Sequence, residues 1–207
     1  RNPSFAATTT ALSQSVYNAV MLNGVVLDLL SAGCYKFPDG NVQIGCDASV
    51  VPWLLDPLFA GNTFGTDMHN AHVQPDGTYH YHGNPIAMFD DSPDVNGSPV
   101  IGFAADGFPV YGSYFDDGGT VRKALSSYNL IGAPALTARP VQDATNPGGN
   151  YDGTYIQDYV YTANSGDLDE CNGMTVNGHY AYYVTDTYPW VMACFRGTPD
   201  SSFNKTP

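Results

Sequence analysis

Four of the five histidines in the sequence lie within fourteen residues, and they are His69, His72, His80 and His82. Between the two middle ones stands Pro75-Asp76-Gly77. This run favours a tight turn, because proline presets φ, aspartate suits the second corner and glycine tolerates a left-handed conformation. It predicts a three-residue hairpin loop, a type I turn closed by a glycine bulge. Counting outward from such a loop places His72 opposite His80 and Asn70 opposite His82.

Side chains alternate between two faces along a strand, so His80 and His82 share one face and the tyrosines beside them take the other. His72 joins the histidine face, because directly paired Cβ atoms lie about 4.5–5.5 Å apart. Three imidazoles in this arrangement suit zinc or copper. In a hairpin with a two-residue loop the register would slip, and His69 would replace His72. The alternative without a metal is a surface hairpin whose histidines form separate hydrogen bonds.

The composition predicts a mainly β fold. The 22 glycines, 15 prolines and 15 tyrosines are typical of short strands joined by tight turns. We expect a single domain over residues 1–207, built from antiparallel hairpins in a sandwich-like arrangement with a few short helices. Hairpin turns are predicted at Asn23-Gly24, at Pro38-Asp39-Gly40 and, as a two-residue type I′ turn, at Asp106-Gly107. A short helix capped by Asp47 or Ser49 is expected to run through Trp53 and Leu55 and to end at Pro57. One or two helical turns are expected within residues 121–130, and residues 195–207 look like a tail.

Charge and cysteine content restrict the partners and the compartment. Lysine and arginine total 7 against 20 acidic residues, a formal net charge of −13. Such a surface repels phosphate backbones and anionic lipids, so we expect neither nucleic acid nor a membrane as a partner. Of the three possible cysteine connectivities, Cys34–Cys46 with Cys171–Cys194 is favoured, because each bond closes a modest loop. Disulfides predict export to an oxidising compartment, whereas four buried thiols would fit the cytosol.

Several longer motifs resemble a known family. The chain is similar to the YHYH-domain family, which is named after the tetrapeptide found here as Tyr79-His80-Tyr81-His82. Over about residues 61–197 the resemblance also includes IGFAADGFPVYG (101–112), YDGTYIQDY (151–159), LDECNG (168–173) and VTDTYPWVMACFRG (184–197). The resemblance implies a secreted or periplasmic protein with a metal bound at the histidine motif. It implies no established activity.

One departure from the family pattern concerns its second Tyr-His-Tyr-His motif. The equivalent positions here are Tyr180-Ala181-Tyr182-Tyr183, which contain no histidine. If both motifs serve one site, this strand should lie beside the histidine hairpin. Alternation would then point His179, Ala181 and Tyr183 toward the hairpin. His179 and Tyr183 are therefore additional candidate ligands, and a surface histidine near a strand end is the alternative for His179.

The favoured function is binding of one copper or zinc ion by His72, His80 and His82. An open position on that ion would suit a metal-dependent enzyme, with Asp106 or Glu170 as the general base. The sequence leaves enzymatic activity open. A non-catalytic metal carrier, or an extracellular module that binds a small molecule or polymer, is the first alternative. The second is a structural domain stabilised by calcium in the loops at residues 90–96 or 164–172.

Overall fold

Short strands account for most of the regular structure. The computed structural model describes residues 2–38, 42–44 (backbone only), 53–61, 64–90, 92–93 and 96–205. About 30% of the chain is strand and 3% is helix, and no helix reaches seven residues, which confirms a β-rich single domain. The strands are β1 (Thr10–Ala11), β2 (Ala19–Met21), β3 (Val26–Leu27), β4 (Gly33–Tyr35), β5 (Val42–Ile44), β6 (Ala71–Val73), β7 (Tyr79–Tyr81), β8 (Val100–Ala104), β9 (Pro109–Tyr111), β10 (Tyr114–Asp117), β11 (Thr120–Lys123), β12 (Tyr128–Leu130), β13 (Tyr159–Tyr161), β14 (Gly173–Val176), β15 (His179–Tyr183) and β16 (Cys194–Phe195).

One eight-stranded sheet organises the fold. Its strand order is β14-β15-β9-β8-β2-β3-β7-β6. The pairs β9–β15 and β3–β7 are parallel, and the other neighbours are antiparallel. Two-stranded sheets are formed by β1 with β16, β4 with β5, β10 with β11 and β12 with β13. The histidine hairpin, β6–β7, is therefore one edge of the main sheet, and β14–β15 is the other.

Three hairpins of the main sheet share one loop design, at residues 22–24, 75–77 and 105–107. In each, the amide of the loop glycine donates to the carbonyl three residues earlier, at 2.8 to 2.9 Å. The glycines take φ values of +85°, +93° and +90°. The hairpins at Asn23-Gly24 and Pro75-Asp76-Gly77 form as predicted. The predicted two-residue turn at Asp106-Gly107 is wrong, because Ala105 also belongs to the loop and only Gly107 adopts a left-handed conformation.

In the described part of the predicted short helices the backbone is extended instead, and residues 45–52, which contain most of the first one, lie outside the described residues. Leu54 forms a bridge with Cys34 and Leu55 a bridge with Tyr155, and residues 121–130 contribute to β11 and β12. Tertiary pairing overrides a weak helix propensity at these positions. Among the described residues, the helices are two single turns of 3₁₀ type, Ile156–Asp158 and Ser201–Phe203. None of the described helices has the length and apolar composition needed to cross a bilayer.

Both faces of β15 are buried from Tyr180 to Tyr183. Tyr180 and Tyr182 belong to the main hydrophobic core, whereas Ala181 and Tyr183 pack in a second cluster with Phe115 and other residues. The alternation expected for this strand is therefore present. A strand covered on both sides by apolar groups belongs to the interior of the fold.

A disulfide joins Cys171 to Cys194, with a Cα–Cα distance of 4.6 Å, as predicted. It ties the turn before β14 to β16. The strands β4 and β5 pair antiparallel, which agrees with the hairpin predicted around Pro38. Cys46 and the tip of that hairpin lie outside the described residues, so the pairing of Cys34 with Cys46 stays a prediction.

Candidate metal centre

The hairpin β6–β7 adopts the predicted register. His72 pairs with His80 and Val73 with Tyr79, and the amide of His82 donates to Asn70 O at 2.8 Å. The loop is closed by the amide of Gln74, which donates to Thr78 O at 2.9 Å. This register places the imidazoles of His72, His80 and His82 on one face of the hairpin. His69 is not one of the three.

The tyrosines of the motif occupy the other face and anchor the hairpin. Tyr81 is buried in the main core, and its hydroxyl accepts a hydrogen bond from Asn23 Nδ2 at 3.0 Å. Tyr79 packs at the edge of that core and donates to Asp67 Oδ2 at 2.5 Å. The alternation of Tyr and His therefore gives the strand two different faces: the tyrosines pack against the core, and the histidines line a pocket.

The three imidazole nitrogens converge. His82 Nε2 lies 3.1 Å from His80 Nε2 and 3.2 Å from His72 Nε2. All three ligating atoms lie within 4.8 Å of one another. His80 and His82 are 1% and 3% exposed, and His72 is half-buried at the mouth of the site. Little solvent can therefore separate the rings, and each Nε2 has the other two as its neighbours.

Backbone carbonyls determine the tautomers of two of these rings. His72 Nδ1 lies 2.9 Å from Phe64 O, and His80 Nδ1 lies 3.2 Å from Thr78 O. A carbonyl oxygen only accepts, so in each neutral ring Nδ1 carries the proton and Nε2 carries a lone pair. Both lone pairs point at His82 Nε2, which has at most one proton to share between them. A cation at the centre would satisfy all three nitrogens.

Burial keeps the inner rings neutral. Desolvation is the main cause that lowers the pKa of His82 to about 3, and the neighbouring His80 and His72 lower it further. Desolvation also lowers the pKa of His80. His82 Nδ1 makes no well-aligned hydrogen bond to any described residue, although the nearby backbone of Asp28 favours a proton on this ring. Neutral imidazole is the form that binds metal ions.

The spacing of the nitrogens fits a single transition-metal ion. Nitrogens that lie ~2.0–2.1 Å from one zinc ion at tetrahedral angles are ~3.3–3.4 Å apart. The two short separations of 3.1 and 3.2 Å are close to that value. Three imidazoles also suit copper. The donor set therefore fits the ion that the sequence predicts, and three protein ligands leave a further coordination position for a small molecule.

A cavity of about 350 Å³ opens beside the histidines. Its polar wall includes Asp28, Gln74 and Lys205. Asp28 is 2% exposed, and its Oδ2 accepts a hydrogen bond from Lys205 Nζ at 2.5 Å. Sequence reasoning missed this ion pair, because Asp28 and Lys205 are 177 positions apart and neither lies in the histidine motif. The one local feature that points to this site is an aspartate, Asp28, inside an otherwise apolar segment at residues 25–30.

The structure does not bring the other candidate ligands to this cavity. His69 lies in the turn before β6, where its amide donates to Asp67 Oδ1 at 2.8 Å. His179 and Tyr183 belong to β15, which four strands (β9, β8, β2 and β3) separate from β7. The expectation that β15 lies beside the histidine hairpin is wrong. Tyr183 instead stacks on Tyr111, with ring centroids 5.5 Å apart. His179 is exposed, on a strand near the opposite edge of the sheet.

The predicted general bases are also engaged elsewhere. Asp106 accepts from the hydroxyl of Tyr182 at 2.6 Å and from the amide of Gly197 at 2.9 Å. Glu170 accepts from Arg196 Nη1 at 2.9 Å, next to the disulfide. Neither side chain lines the histidine cavity, where the carboxylate is that of Asp28.

The loops considered for calcium are only partly described. In the loop at residues 164–172, Asp167 forms two hydrogen bonds with Arg122, each of 2.7 Å. Asp169 accepts from the amides of Cys171 and Gly173 and from the hydroxyl of Tyr180. Protein donors thus occupy these carboxylates. Part of the loop at residues 90–96 lies outside the described residues, so calcium there stays a prediction.

Comparison with known proteins agrees with the motif. No curated protein and no solved structure matches the chain. The sequence model of one family, described as YHYH protein, matches residues 1–197. The match begins well before the region around 61–197 that contains the motifs, and it includes β2 and β3, the strands next to the histidine hairpin. This chain is a member of the YHYH protein family.

Proposed function

We propose that this protein binds one copper or zinc ion through His72, His80 and His82, in an exported, disulfide-bonded domain. The observation that supports the proposal most strongly is the convergence of three Nε2 atoms, with two separations of 3.1 and 3.2 Å. Hydrogen bonds to Phe64 O and Thr78 O orient two of the lone pairs inward. Such backbone partners to Nδ1 are typical of metal-ligating histidines.

The cavity supports a role in which a small molecule reaches the ion. A zinc ion in a three-histidine site ionises bound water near neutral pH, and copper would supply redox chemistry. The protein groups contribute the rest. Burial keeps His80 and His82 neutral, the hairpin presents all three imidazoles to the pocket, and the cavity of about 350 Å³ has room for a small molecule.

Metal titration of protein purified without a histidine tag tests the proposal. We expect one copper or zinc ion per chain, measured by elemental analysis after dialysis. His80→Ala should weaken binding by a hundredfold or more, because each imidazole is one of three ligands. His179→Ala is the matched control, since this histidine lies on β15, and it should bind like the wild type. Equal affinity in the His80 and His179 variants would contradict the proposed ligand set.

Export to the periplasm or the cell exterior is part of the proposal. The Cys171–Cys194 bond supports it, since disulfides persist in oxidising compartments. Protein isolated from its native compartment and denatured without reductant should contain no reactive thiol. Four thiols per chain would contradict both the exported location and the proposed pairing of Cys34.

A further inference from the structure

The carboxylate of Asp28 lies on the histidine face of the sheet. Strand β3 pairs parallel with β7, with Val26 opposite His80 and Leu27 opposite Tyr81. Asp28 comes directly after Leu27. Its amide donates to Tyr81 O at 2.9 Å, so the pairing of the two strands continues to Asp28 and His82. Residues in register on neighbouring strands point to the same face, so Asp28 is beside His82. Both residues line the cavity.

The C-terminal segment supplies the partner of this carboxylate. After the turn Ser201–Phe203, Asn204 forms a bridge with Val16, and the amide of Lys205 donates to Ser15 O at 2.8 Å. The ammonium of Lys205 then reaches Asp28 Oδ2. Residues 195–205 are therefore not a free tail. The last part of this segment lies beyond the family match at residues 1–197.

One oxygen of Asp28 has no donor. Oδ2 accepts from Lys205 Nζ at 2.5 Å and from Gln74 Nε2 at 3.3 Å. Oδ1 is buried and has no hydrogen-bond partner within the described part of the chain. A buried carboxylate oxygen without a donor is unfavourable, and it strongly favours any N–H or O–H group that enters the cavity. Lys205 meanwhile balances the charge, so the pair adds no net charge to the pocket.

We infer that Asp28 and Lys205 form the ligand-selecting half of the pocket and that the ligand is a small, uncharged molecule with an N–H or O–H group beside its metal-binding atom. Asp28 Oδ1 accepts that hydrogen, and Lys205 positions the carboxylate. The inference rests on the proposed metal site. It specifies which class of molecule binds at the coordination position that the three histidines leave free.

Two azoles that differ in one hydrogen test the inference. Pyrazole carries an N–H next to its ligating nitrogen, whereas 1-methylpyrazole carries a methyl group there. Binding of each to the copper-loaded protein is measured from the change in the copper spectrum. The wild type should prefer pyrazole by about tenfold or more, as expected for a hydrogen bond to a buried carboxylate. Equal affinity for the two azoles would overturn the inference.

The matched variant is Asp28→Leu/Lys205→Met, which replaces the ion pair by apolar side chains and leaves no unpaired charge. Its copper affinity is measured first, and at saturating copper it should lose the preference for pyrazole. Asp28→Asn is a second variant that keeps a weaker acceptor, and it should lose part of the preference. Asp56→Asn, at a buried carboxylate in another cavity, should keep it. A preference that persists in the double variant would overturn the inference.

The two proposals fail in different ways. If the wild type binds no copper, the metal site and the inference built on it are both wrong. If the wild type binds copper with full affinity and does not distinguish the azoles, only the role of Asp28 and Lys205 is wrong.

Discussion

Neutral histidines make the metal-free site sensitive to acid. Burial lowers the pKa of His82 to about 3, whereas an unfolded chain holds this group near its usual value of 6.5. Between these values the unfolded state binds the proton more tightly, so the metal-free protein loses stability as pH falls from 6.5 toward 3. The full difference corresponds to on the order of 5 kcal/mol.

Replacing His82 by glutamine should remove much of this acid sensitivity. Between pH 7 and pH 4 the metal-free variant should lose about 3 kcal/mol less unfolding free energy than the wild type. Urea titrations at the two pH values measure the difference. His179→Gln, at an exposed position, should behave like the wild type. Parallel pH profiles for the wild type and the His82 variant would show that this ring is not buried in its neutral form.

Asp56 changes stability with pH in the opposite direction to His82, because its pKa is raised and not lowered. Burial is the main cause that raises its pKa to about 6, although Leu58 N and Trp190 Nε1 donate to it. The folded state therefore holds a proton between pH 3.8 and 6 that the unfolded state releases, so the protein loses stability as pH rises from 3.8 to 6, and the loss is complete above 6. Relative to the wild type, Asp56→Asn should gain about 2–3 kcal/mol between pH 4 and pH 7. An unchanged difference between the two proteins would rule this out.

At the scale of secondary-structure elements, the hairpin depends on the loop glycine. Gly77 has φ of +93°, and a Cβ built there would meet no atom within 4 Å. A substitution at this position therefore costs backbone strain and causes no clash. Gly77→Ala should lower the unfolding free energy by about 1 kcal/mol, and Gly77→Asn by less, because asparagine tolerates the left-handed region better. Chemical denaturation checks both values, and equal losses would argue for a different loop.

The hairpin could be predicted because its information is local. The turn residues at 75–77 determine the loop length, and alternation then determines which side chains share a face. The same reasoning failed at Asp106-Gly107, where the loop includes Ala105. Alanine has no strong turn preference, so no residue at this position favours a three-residue loop over a two-residue loop.

Contacts between distant elements could not be predicted in this way. The parallel pairing of β3 with β7 brings Asp28 to the histidines, and no local pattern specifies which strand lies beside an edge hairpin. For the same reason the expectation that β15 lies beside the histidines is wrong, since β15 lies near the opposite edge of the sheet. Composition predicted the fold class, because glycine, proline and tyrosine frequencies reflect many short strands without specifying their order.

At the scale of the whole molecule, the disulfide and the metal site belong to opposite ends of the sheet. Cys171 and Cys194 are 23 positions apart, so their bond restricts a loop of moderate length in the unfolded chain. Cys171→Ala/Cys194→Ala should lose about 3 kcal/mol of unfolding free energy. Copper affinity should stay within about threefold of the wild type, since additivity holds for distant sites. A large loss of affinity would show that the two ends of the sheet are coupled.

The most direct test of the metal site is X-ray absorption at the copper or zinc edge of loaded, untagged protein. The account predicts one ion per chain with three imidazole nitrogens at about 2.0–2.1 Å and a small ligand completing the coordination. His72→Ala should remove one imidazole from the spectrum or abolish binding. A bound ion with fewer than three imidazole ligands in the wild type, or a spectrum unchanged by the His72 substitution, would contradict the account.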